Sequence, residues 1–160
     1  MSWAEVKKIN SNIKKPLDKM NYELFYNLAL IQNGGYGTST SEVFILPEGK
    51  NAVGDAEYVS GQMRIIVLPQ TIRSIGTRAF DQCTNLERIV IPEGVETISG
   101  FAFRACTNLK SIRLPSTITT LNSLAFQGDN LLEDIFVTWS EGEIEGAPWG
   151  ATNATIHYNA

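Results

Sequence analysis

A 23-residue period governs the middle of this chain. Leu68-Pro69, Ile91-Pro92 and Leu114-Pro115 recur at that interval, as do Ala79-Phe80, Ala102-Phe103 and Ala125-Phe126, and Cys83 with Cys106. Four more apolar positions keep the register: Ile72, Val95 and Ile118; Ile75, Ile98 and Leu121; Leu86, Leu109 and Leu132; Ile89, Ile112 and Ile135. One such unit has an apolar face that only a stacked neighbour can cover, so the period demands a repeat array. The expected architecture is an α/β solenoid of about five 23-residue coils, built from short parallel strands and helical or 3-10 turns. Its interior should be dry, with Phe80, Phe103 and Phe126 laddered along it.

The flanks extend this grammar. Ile45-Leu46-Pro47 precedes Leu68-Pro69 by 22 residues, and Tyr58 takes the place of Phe80, so the repeats begin near Ser41. Trp149 follows Phe126 by 23 residues and belongs to an atypical terminal coil that starts at about 139 and closes the core. Ahead of the repeats, Val6, Ile9 and Ile13 are spaced for a helix, Pro16 interrupts, and Leu17, Met20, Leu24 and Ile31 resume the pattern up to Asn33-Gly34-Gly35. Two short helices are therefore expected, hinged near Lys15-Pro16. This divides the chain into an N-terminal cap or attachment segment, 1–40, and a repeat domain, 41–160. Glu23 and Asn27 interrupt a strict heptad, which favours a cap on the open end of the solenoid over a coiled coil that joins copies of the chain.

The repeat pattern of Leu-Pro, Ile-Gly, Ala-Phe, Cys-x-x-Leu and Ile resembles the BspA-type, or Treponema pallidum type, leucine-rich repeat over roughly residues 42–158. That resemblance implies a non-enzymatic recognition module that binds protein or carbohydrate at a bacterial cell or particle surface. The opening Ser2-Trp3-Ala4-Glu5-Val6 and the ending Gly146-Ala147-Pro148-Trp149 also resemble segments of prophage structural proteins of gut Firmicutes. They imply an alternative, a tail-associated protein that docks or oligomerises through residues 1–34.

Charge and composition narrow the chemistry. Thirteen basic and 17 acidic residues give a net charge of −4, which argues against nucleic acid as a partner. Residues 131–160 carry five acids and no Lys or Arg, whereas residues 1–40 carry five Lys against three acids. No run approaches the roughly 20 apolar residues of a membrane span. The N-terminus also lacks the pattern of a secretory signal, so the expected location is the cytoplasm or a phage particle, or the cell surface if a leader has been removed. Cys83 and Cys106 fall in equivalent positions and are expected to be buried and reduced.

Chemistry-bearing clusters are not apparent. His157 is the single imidazole, which leaves no metal set and only a formal route to a hydrolase; no cofactor is expected. The candidate site is instead a surface. Residues between inward-facing neighbours point out from a strand, and stacking the coils aligns Ile45, Val67, Val90, Arg113, Phe136 and His157 in one outward row. Arg88 and Asp134 belong to the row beside it, with Ser111 and Thr155. A protein or glycan should bind there unless the N-terminal helices cover it.

Overall fold

The computed structural model describes residues 19–160. Helix α1 (Lys19–Asn33) is followed by ten short strands: β1 (Val43–Ile45), β2 (Ala52–Val53), β3 (Ile65–Val67), β4 (Ser74–Ile75), β5 (Arg88–Val90), β6 (Thr97–Ile98), β7 (Ser111–Arg113), β8 (Thr120–Leu121), β9 (Asp134–Phe136) and β10 (Thr155–His157). The expected solenoid is present. Every pairing is parallel, and each step moves the register by one repeat: Val43 pairs with Ile65, Ile65 with Arg88, Ser111 with Asp134 and Asp134 with Thr155. The strands are short because Pro47, Pro69, Pro92 and Pro115 follow closely on β1, β3, β5 and β7, and proline has no N–H to extend a ladder.

Phe80, Phe103 and Phe126 are fully buried, with successive ring centroids 5.5 Å apart and ring planes tilted by only 14° and 12°. Tyr58 extends the stack at 5.6 Å. Burial of each phenyl ring stabilises the array by roughly 1.5–3 kcal/mol. At the far end Trp149 is buried edge-on to Trp139, 6.3 Å away. Cys83 and Cys106 are free and buried.

The turns differ from expectation. Instead of helical or 3-10 segments, each Ala-Phe lies in successive tight turns. The Ala79, Asp81 and Cys83 amides donate to the Gly76, Arg78 and Phe80 carbonyls. Arg78 and Gln82 have φ of 57° and 60°, and Phe101 and Ala105 repeat this at 59° and 57°. A left-handed backbone at every fourth position stops a right-handed helix from propagating. The turns are instead tied to the next coil, with the Phe80, Phe103 and Phe126 amides donating to Ala102, Ala125 and Trp149 at 2.8, 2.9 and 2.9 Å.

The N-terminal expectations are corrected in part. One helix is described; the first expected piece, with Val6, Ile9, Ile13 and the Lys15-Pro16 hinge, lies outside the described residues. Nor does α1 cap the open end. It lies across the outer face of β1, β3 and β5, where Tyr22, Phe25, Tyr26 and Ala29 pack on Val43, Ile45, Ile65, Val67 and Val90. Spacings of three and four residues put these four side chains in one stripe, and the apolar outward row is the surface that matches it. That row is itself divided. β1, β3 and β5 form one sheet and β7, β9 and β10 another, whereas β2, β4, β6 and β8 form an unbroken sheet. The division falls between Val90, which α1 covers, and Arg113, which lies outside that cluster.

Candidate recognition surface

The repeated Leu-Pro creates a need that α1 meets. In the parallel ladder the Leu46 amide donates to Val67, so the Leu46 carbonyl should next accept from residue 69. Residue 69 is Pro69, which has no N–H to give. The same holds one coil on, where the Leu68 carbonyl faces Pro92. The Tyr26 hydroxyl donates to the Leu46 carbonyl, and the Tyr22 hydroxyl donates to that of Leu68. Four residues of helix rise about 6 Å, close to the ~4.8 Å between strands, so side chains one helical turn apart meet consecutive coils. Burial, with Glu48 adding to it, pushes both phenols well above their ordinary pKa and keeps them as donors.

The six positions of the expected row therefore divide into two groups. Ile45, Val67 and Val90 are buried beneath α1, a correction to their reading as an open contact face. Arg113, Phe136 and His157 are half-buried and remain on the surface. They form a continuous stack: the Arg113 guanidinium lies 4.9 Å from the Phe136 ring centre, and the His157 ring lies 4.5 Å from it at a tilt of 16°. His157 Nε2 is 2.7 Å from Asp134 Oδ1, which joins the stack to the neighbouring row. The exposed hydroxyls of Ser111 and Thr155 complete that row here. Arg88 stands between the two halves, half-buried, with its pKa lowered by that burial against the opposing pull of Glu87. Arg113 is lowered in the same way.

A groove of about 650 Å³ runs between α1 and the Leu-Pro turns, walled by Tyr22, Tyr26, Glu48, Arg73 and Glu93. It cannot be read from the repeat, because it exists only where the helix crosses the coils. Among the described residues, no group of three His, Cys, Asp or Glu side chains could hold a metal ion, and no helix is long and apolar enough to cross a membrane.

A family model for the BspA type leucine rich repeat region matches residues 51–147 in six copies. The chain belongs to the BspA-type leucine-rich-repeat family. Among solved structures, this BspA-type chain is similar to a leucine rich cell surface protein from Faecalibacterium prausnitzii A2-165. The two are 28% identical with a TM-score of 0.65, over 78% of this chain and 34% of that one. It is also similar to the Treponema pallidum leucine rich repeat protein (20% identical, TM-score 0.54, covering 77% and 71%) and to the pneumococcal vaccine antigen PcpA (24% identical, TM-score 0.60, covering 64% and 26%). These last two likenesses speak to fold alone. The chain spans about a third of the length of the Faecalibacterium protein. No curated protein matches its sequence.

Proposed function

We propose that this BspA-type solenoid is a non-enzymatic recognition module whose contact face is the outer side of β7, β9 and β10, and that its ligand is a protein or a glycan at a bacterial cell or particle surface. The observation that carries the reading is the Arg113–Phe136–His157 stack, held in one geometry on the half of the face that α1 does not cover. Such a stack loses little side-chain entropy on binding, because its members are packed before the ligand arrives. It sets a guanidinium and an imidazole beside the Asp134 carboxylate, a polar set suited to hydroxyl, amide or carboxylate groups. The likeness to a cell surface protein supports the setting.

The test is binding to a glycan array and to a displayed peptide library by the wild-type chain, Phe136→Asp and Arg113→Ala. Hits on the proposed face should weaken at least tenfold in both variants while the circular dichroism spectrum and melting temperature stay near wild type. Hits of equal strength in all three proteins would place the contact elsewhere.

A second reading, a particle-associated structural protein that docks or oligomerises through residues 1–34, has one observation in its favour. Leu24 and Ile31 are 60% and 72% exposed on the side of α1 away from the sheet. With the half-buried Leu28 between them, their spacing of four and three residues is that of a coiled-coil seam. Light scattering on the wild type and on Leu24→Asp/Ile31→Asp separates the two readings: a wild-type dimer that the double variant converts to a monomer favours the second.

A further inference from the structure

One buried position in each coil has a chemical requirement, and Asp129 meets it only in one protonation state. The turn after each aromatic residue brings a small residue into the core at Gly61, Cys83, Cys106, Asp129 and Ala151. The equivalence is marked by the amide three residues later, which donates to this residue's carbonyl: Leu86 to Cys83, Leu109 to Cys106, Leu132 to Asp129 and Ala154 to Ala151. The thiols there act in two ways. Cys83 Sγ donates to the Tyr58 carbonyl at 3.1 Å, and Cys106 Sγ donates to the Phe80 carbonyl at 3.3 Å. Each thiol is also a hydrogen-bond acceptor for the amide of the same position one coil back, Gly61 for Cys83 and Cys83 for Cys106. The position therefore calls for a group that both donates and accepts.

Asp129 is 2% exposed. Its Oδ1 accepts the Cys106 amide at 2.7 Å, as the thiols accept theirs, and its Oδ2 is buried without a hydrogen-bond partner. The repeat puts the Phe103 carbonyl where Tyr58 and Phe80 serve the thiols. A carboxylate has two acceptors and nothing to give that carbonyl, whereas a carboxylic acid reproduces the thiol's pair of roles. We propose that Asp129 is carried as a neutral acid in the folded chain, its Oδ2 proton directed at the Phe103 carbonyl, and that this proton is a pH-sensitive latch for the terminal coils.

The surroundings agree. One coil back stands the Cys106 thiol, with Cys83 beyond it; burial raises the pKa of both, that of Cys83 to about 11. The carboxylate of Asp81 also acts on Cys106, and both Arg78 and Arg104 are bound to Asp81 at 2.8 Å. One coil on, the position is Ala151, flanked by Gly150 and Thr152, none of them ionisable. Burial pushes the Asp129 carboxyl up to about 8 against the smaller lowering by the Cys106 amide. An acid raised on folding holds an extra proton in the folded state. Its contribution to stability is thus complete below the unfolded value and is lost as pH rises through the folded one.

The experiment is thermal and urea unfolding of the full chain at pH 5 to 9, for the wild type, Asp129→Asn and Asp129→Cys. Both replacements donate and accept without ionising in that way. The wild-type folding constant should fall on the order of 100-fold more between pH 5 and pH 8 than that of either variant. Parallel pH profiles in all three proteins would overturn the proposal. Should neither variant fold, carbon-detected NMR of the wild-type Asp129 carboxyl decides the matter: a midpoint above pH 7 upholds the proposal, and one near pH 4 refutes it.

Discussion

The outer face of this solenoid has two halves that are built alike and finished differently. Over β1, β3 and β5 the outward residues are Val43, Ile45, Ile65, Val67 and Val90, which α1 covers, and the half-buried Arg88 at the boundary. Over β7, β9 and β10 the corresponding positions hold Ser111, Arg113, Asp134, Phe136, Thr155 and His157, which are exposed or half-buried. The inner columns pass through both halves with little change in character. The comparison shows that the repeat fixes the interior, whereas the outer face is free to vary and records what lies against it.

Substitution at matched positions should break this contrast if it is wrong. Val67→Asp places a carboxylate beneath α1 with no partner, and loss of the folded state, or release of the helix at a cost of several kcal/mol, is expected in a denaturation experiment. Phe136→Asp, one of the same outward row, should move the melting temperature by only a few degrees. Equal damage from the two would mean that the second half is as covered as the first. The interior supplies the control. Phe80→Ala and Phe126→Ala should each cost about 3–5 kcal/mol in urea unfolding, whichever half lies outside them.

Smaller effects sharpen the picture. Tyr26→Phe keeps the packing of α1 but removes the donor to Leu46, and should cost about 1–3 kcal/mol because the carbonyl left behind faces Pro69. Hydrogen exchange should then rise first in α1. At the low end, Asp134→Asn alters a pair whose side chains are 42% and 39% exposed, and a change below about 1 kcal/mol is expected.

How much of this was legible follows from what each residue answers to. The columns of Ile72, Val95 and Ile118 or of Phe80, Phe103 and Phe126 answer only to the coil above and below, so periodicity alone places them. Periodicity gives the register of the outward positions on the same grounds, but not their cover, because helix α1 reaches the sheet through an irregular loop whose path no repeat dictates. Two further signals lie in the sequence itself. Leu-Pro in consecutive coils already implies carbonyls without a ladder donor, and tyrosines four apart in a nearby helix are suited to supply one. Asp129 stands in the cysteine register, where an ionisable replacement marks a position held to one protonation state. The tight turns are hidden from the sequence because residues such as Arg78 and Phe101 give no glycine signal for their left-handed backbone.

The near match between helical pitch and strand separation also limits how such a molecule can be lengthened. A further coil added after β10 would leave the α1 contacts untouched. One inserted between β1 and β3 would carry Leu68 from one strand spacing to two away from Leu46, and the two tyrosines would then need about eight residues between their positions in place of four. Growth by duplication is thus open at the distal end and obstructed beneath the helix.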